Sequence, residues 1–231
     1  MPNALVIVAK APVVGQVKTR LCPPLSAAEA TELFRCFLVD TVARACTVPE
    51  VQVCLAFTPA DSEELFRALL PFPLRYLTQR GNSLGERLVN IFADLLKGGF
   101  SRVVIMDSDS PTLPTSYLQE AFAVLGDLKQ DAVFGPCSDG GYYLVGARAV
   151  HPGLFENITW STSTVLSETL DQARHHNLNV ALLPPWYDVD NGADLQKLAV
   201  ELGRLDGNAG VPRTRAFLTQ LGLCPAERRS S

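Results

Sequence analysis

Residues 4–21 read Ala-Leu-Val-Ile-Val-Ala-Lys-Ala-Pro-Val-Val-Gly-Gln-Val-Lys-Thr-Arg-Leu, an apolar run that passes straight into a cation-rich loop. The first six residues lack any polar alternate, the pattern of a strand covered on both faces. From Ser26 the period changes. Ala30, Leu33, Phe34, Phe37, Leu38 and Val42 recur at helical spacing, and Ser26 with Glu29 stands in capping-box register. The alternation continues along the chain. Further strands are predicted at 51–57, 74–77, 102–106, 132–135, 142–146 and 180–183, and helices at 61–70, 84–97, 115–125, 164–175, 193–205 and 213–221. Strands separated by helices of this length imply an α/β fold with a mostly parallel sheet and helices on both faces. No internal repeat or linker-like break interrupts it. Residues 1–222 are therefore expected to form one domain, with 206–210 a surface loop and 223–231 a polar tail.

Composition narrows the function classes. The chain has 231 residues, 47% of them hydrophobic and 19% charged, which suits a packed globular protein and not a disordered one. Its formal net charge of −4 gives no general attraction for a nucleic-acid polymer. The first residues carry no basic segment before the apolar run, and no apolar stretch approaches the ~20 residues of a membrane helix. A cytoplasmic protein is expected. The six cysteines (22, 36, 46, 54, 137 and 224) form no Cys-x-x-Cys pair, and His151, His175 and His176 have no thiol at zinc-site spacing, so buried reduced thiols are expected.

The cationic loop leaves the C-terminal end of the first strand, where open α/β sheets place their ligands. Gly15 permits a positive φ and close backbone approach. Lys10, Lys18 and Arg20 gather positive charge suited to a di- or triphosphate. Lys18-Thr19 matches the end of a P-loop, but Pro12 and Val17 stand where that motif needs glycine, and no dinucleotide fingerprint is present. A solvated loop is the alternative. The next cluster, Asp107-Ser108-Asp109-Ser110-Pro111, follows the strand at 102–106. Carboxylates two apart on an extended chain share one side at about 6–7 Å and repel unless a cation joins them. A hard divalent ion held with phosphate oxygens fits, and an Asx turn or helix cap explains the same residues without one.

Four weaker clusters remain. In 135–143, Gly140 and Gly141 mark a tight turn or a backbone on which a ligand packs, Asp139 adds a carboxylate, and Tyr142 or Tyr143 faces a sugar or base or fills core. Trp160, Ser161 and Thr162 precede a helix, either as a polar-ring contact or with Ser161 as a cap. Asp188 and Asp190 repeat the two-apart carboxylate pattern, as further metal ligands or with Asp190 or Asn191 as an N-cap. Gly81 and Gly85 bracket a helix start able to face an anion, with Arg87 beside them, although a surface ion pair would equally explain that arginine.

Together these clusters resemble a bacterial family of GT-A-like nucleotide-diphospho-sugar transferases, some of whose members are assigned to arsenosugar biosynthesis. The likeness rests on Lys10-Ala11-Pro12, Gly15, Val17-Lys18-Thr19-Arg20-Leu21, Asp107, Asp109, Pro111, Gly135-Pro136, Asp139-Gly140-Gly141-Tyr142-Tyr143-Leu144, Trp160-Ser161-Thr162 and Asp188-Val189-Asp190. Where the family pattern usually continues with Thr and Pro, this chain has Asn191-Gly192. The resemblance implies a three-layer, Rossmann-like GT-A fold with a mixed, mainly parallel sheet, and kinship with molybdenum-cofactor and phospholactate guanylyltransferases. It further implies phosphate contacts at Lys10, Lys18 and Arg20 and a Mg²⁺ or Mn²⁺ site at Asp107 and Asp109, with Asp188 or Asp190 as a further ligand or acceptor contact. The expected function is glycosyl transfer from a nucleotide-sugar to a small acceptor, with Asp188 or Asp139 as candidate base. The alternatives are nucleotidyl transfer from an NTP with release of pyrophosphate, and nucleotide sensing without turnover.

Overall fold

The computed structural model describes residues 2–204 and 210–225. Seven strands, β1 (Asn3–Lys10), β2 (Val51–Thr58), β3 (Arg75–Thr78), β4 (Arg102–Met106), β5 (Ala132–Pro136), β6 (Tyr142–Ala147) and β7 (Val180–Leu182), form a sheet in the order β3-β2-β1-β4-β6-β5-β7. Neighbours run parallel except at β6, which is antiparallel to β4 and β5. Helices α1 (Ala27–Ala45), α2 (Glu63–Leu69), α3 (Leu84–Lys97), α4 (Thr115–Val124), α5 (Val165–His175), α6 (Gly192–Arg204) and α7 (Pro212–Gln220) complete the fold.

The apolar β1 run is explained by two cores. Leu5, Ile7 and Ala9 enter one with Leu33, Phe37, Leu118, Leu198 and Leu218 from α1, α4, α6 and α7. Ala4 and Val6 point the opposite way, into a second core with Leu88 and Ile91 of α3 and Ala173 of α5. Three layers result. The Ser26–Glu29 capping box forms as the spacing predicts. Asp40 of α1 closes the start of α7, its carboxylate accepting the backbone N–H groups of Arg213 (3.2 Å) and Thr214 (2.7 Å). The chain runs outward from β1 through β2 to β3, then returns to place β4 on the other side of β1. Such a reversal opens a crevice at the C-terminal strand ends.

Some expectations change. Cys36, Cys54, Cys137 and Cys224 are buried free thiols, but Cys22 is half-buried and Cys46 is exposed. Leu223 and Cys224 fold back on α7, their backbone N–H groups on Leu218 O at 2.9 and 3.3 Å, and Cys224 joins the larger core. The remainder of the expected tail, 226–231, and residues 205–209 at the expected loop lie outside the described residues. No described helix is long and apolar enough to cross a membrane.

Candidate active site

A cavity of about 400 Å³ opens at the C-terminal ends of β1, β2 and β4. Lys10, Lys18, Arg20 and Arg87 line it together with Ser108, Asp109 and Asp190, so four clusters far apart in sequence meet at one hollow. Gly15 turns the loop with φ +76°, as its position predicts. Lys10 Nζ donates to Gln16 O at 3.0 Å.

Lys18 differs from the reading of a phosphate ligand. Its Nζ lies 2.6 Å from Asp109 Oδ1, 2.8 Å from Asp190 Oδ1 and 2.8 Å from Val189 O. An ammonium has three N–H donors, and these oxygens take all of them. Only 5% of the side chain is exposed. Burial alone would lower its pKa, but the Asp109 and Asp190 charges hold it above the ordinary lysine value. Arg20, largely exposed, pairs with the other Asp190 oxygen. Asp190 is free for these cations because the helix cap falls to its neighbour: Asn191 Oδ1 accepts from the N–H groups of Ala193 (2.8 Å) and Asp194 (3.3 Å). Asp109 and Asp190, expected as metal ligands, are thus held by lysine.

The acids without a cationic partner lie alongside. Asp107 accepts from the backbone N–H groups of Asp109 (3.0 Å) and Ser110 (3.1 Å) and from the Ser110 hydroxyl (3.1 Å), so the Asx-turn reading of this cluster also holds. Residues 186–190 run past the end of β5: Trp186 N–H donates to Pro136 O (3.0 Å), Ser138 N–H to Trp186 O (3.0 Å) and Val189 N–H to Asp109 O (2.9 Å). This brings Asp188 to Cys137, whose Sγ donates to Asp188 Oδ1 at 3.4 Å. Ligand atoms of Cys137, Asp139 and Asp188 all lie within 4.8 Å of one another. Burial, then the charges of Asp109 and Asp188, push the Asp107 carboxyl well above the usual carboxylate range. Burial, then Asp190 and Asp139, raise Asp188 to about 6. Burial and the surrounding carboxylates likewise push the Cys137 thiol up, keeping it protonated. Among the described residues, Asp107, Asp139 and Asp188 have no salt bridge. Crowded oxygen donors lacking a cation are the donor set that a hard divalent ion takes.

Other sequence candidates have structural work. Tyr142 packs edge-on against Phe134, centroids 5.0 Å apart, in the α3/α5 core. Gly141 N–H donates to Asp139 Oδ1 (2.8 Å), closing a turn. Gly140, with φ +94°, abuts the loop before α5: a Cβ there would stand 2.0 Å from Ser163 O. Ser161 is no cap, since α5 begins at Val165 behind Thr164; the Thr162 hydroxyl holds that loop by donating to Thr159 O (2.7 Å). Trp160 joins the α3/α5 core and sits over Gly85, where a Cβ would come within 2.8 Å of Phe155 O and 3.0 Å of the indole. Gly85 therefore serves helix packing and lies in a separate groove. Arg87 Nε donates to Gly81 O (3.1 Å), and the expected surface ion pair is not formed among the described residues. Sequence reasoning missed Gln79, which lines the cavity at the end of β3. A polar residue just beyond a parallel strand was its one signal.

Residues 41–162 match the family described as "Uncharacterized protein conserved in bacteria (DUF2064)". A comparison with curated proteins gives no match. Among solved structures, a candidate nucleotide-diphospho-sugar transferase from Desulfovibrio desulfuricans G20 is 31% identical with a TM-score of 0.88, covering 96% of each chain. CMP:2-keto-3-deoxy-manno-octonic acid synthetase complexed with CTP is 14% identical, with a TM-score of 0.58 over 89% of this chain and 100% of that one. Rv0371c from Mycobacterium tuberculosis H37Rv, complexed with manganese, is 15% identical with a TM-score of 0.50, covering 86% and 98%. The last two likenesses are of fold alone.

Proposed function

From its membership of the uncharacterised bacterial family DUF2064 and its nucleotide-diphospho-sugar transferase fold, we propose that this chain is a cytoplasmic, metal-dependent transferase. Working as one domain, it passes a glycosyl group from a nucleotide-sugar to a small acceptor and releases a nucleoside diphosphate. The observation that carries this reading is the single cavity where a cationic loop from β1 faces the carboxylate turn of β4. Lys10 and Arg20 bind the diphosphate, and Arg87 binds the rest of the nucleotide. Lys18 instead braces Asp109 and Asp190. Asp107 and Asp188, with Cys137 beside them, would hold Mg²⁺ or Mn²⁺. When bound, such an ion neutralises charge that builds on the departing diphosphate. Asp139, on the glycine-rich turn, takes the acceptor proton.

The assay supplies Mn²⁺, a panel of nucleotide-sugars and NTPs, and small hydroxyl acceptors, and measures the released phosphates. Free nucleoside diphosphate is expected, with Asp107→Asn lowering turnover by about 10²-fold. Pyrophosphate from an NTP would replace glycosyl by nucleotidyl transfer, and tight binding without turnover would make the protein a sensor.

A further inference from the structure

Gln79 follows β3 directly, and its backbone N–H donates to Phe57 O at 2.8 Å. Its side chain turns inward, where Nε2 donates to Ala56 O at 2.8 Å and Ala9 O at 3.3 Å, near the ends of β2 and β1. Carbonyls only accept, so these two bonds fix which end of the carboxamide is nitrogen and use both of its hydrogens. Oε1 accepts no hydrogen bond among the described residues, and Gln79 lines the same cavity as the cations. The side chain therefore offers the cavity one immobile acceptor. Arg87, on the same cavity, bonds through Nε to Gly81 O and adds terminal donors. The order β3-β2-β1-β4 sets Gln79 three strands from Ser108 and Asp109, about 14 Å across the sheet at the usual strand spacing. Lys10 at the end of β1 lies between. A nucleotide laid along this line would set its base at Gln79 and its phosphates at Lys10 and Arg20.

We infer that Gln79 reads the nucleobase and that the base is guanine; this rests on the nucleotide-binding role proposed above. Guanine turns two adjacent N–H groups, N1–H and the 2-amino, toward a single acceptor, and carries O6 and N7 on the adjoining edge for an arginine. Uracil flanks its one N–H with two carbonyls, which Oε1 repels. Adenine and cytosine set a bare ring nitrogen beside their amino group.

Calorimetric titration of the full chain in Mn²⁺ with GDP, IDP, ADP, CDP and UDP tests this. GDP is expected to bind tightest, and IDP, which lacks only the 2-amino group, about tenfold more weakly. Gln79→Met is expected to bring GDP and IDP within about twofold of each other. Equal GDP and IDP affinities in the unmodified protein, or tighter binding of another base, overturn the inference. So does a Gln79→Met protein that weakens every nucleotide in parallel, since Gln79 would then only tie strand ends together. Failure of all five to bind overturns the underlying transferase reading as well, whereas binding without base preference overturns only this inference.

Discussion

Lys18 carries more of the site's architecture than any other side chain. Its three hydrogen bonds join the β1 loop to the β4 turn and to the segment before α6. Its sequence context, among glycine and other cations, advertised a phosphate ligand, because charge is legible in a sequence but its partner is not. Asp109 and Asp190 lie outside any local spacing that could have predicted the contact. Removing one partner of a buried pair costs about 3–5 kcal/mol, and the 35% exposure of Asp109 trims that. Lys18→Met should therefore lower unfolding stability in urea by about 2–3 kcal/mol at pH 7. A loss below about 0.5 kcal/mol, the range of ordinary surface substitutions, would show that the triad does not brace the site.

At the scale of elements, the periodicity of α3 was fully legible but the reason for its glycine was not. Gly85 next to Arg87 reads as an anion-facing helix start, whereas the structure seats Phe155 and Trp160 against it. Alanine is the better helix former. Even so, Gly85→Ala should destabilise the protein by about 1–3 kcal/mol, as overpacking does, while nucleotide affinity stays unchanged. Calorimetric melting beside a nucleotide titration checks both halves, and a loss of affinity at full stability would return Gly85 to the binding site. The start of α6 shows the same limit. Asp190 and Asn191 are both good caps by type, and only the positions of Lys18 and Arg20 decide that Asn191 caps while Asp190 pairs.

For the whole molecule, ligand binding should appear as stability. Mn²⁺ with a nucleoside diphosphate at 100 times its dissociation constant is expected to add about 2.7 kcal/mol. Asp107 and Asp188, both raised, set the pH dependence of the metal-linked part. Asp188, at about 6 against an ordinary 3.8, must lose its proton to hold a cation, so the increment should fade as pH falls through 6. An increment unchanged between pH 5 and 8 would remove Asp188 from the ion. In the opposite sense, this raised value makes the metal-free fold lose stability as pH rises from about 4 to 6. Hydrophobic period and charge spacing determined the strand–helix order, the layers and the clusters that matter, because burial patterns repeat locally along the chain. Which acid meets which cation, which glycine packs and which turns, and that Gln79 reaches the cavity were decided only by tertiary structure. The parallel crossovers bring residues some 170 positions apart into contact, and no local pattern records a distance of that kind.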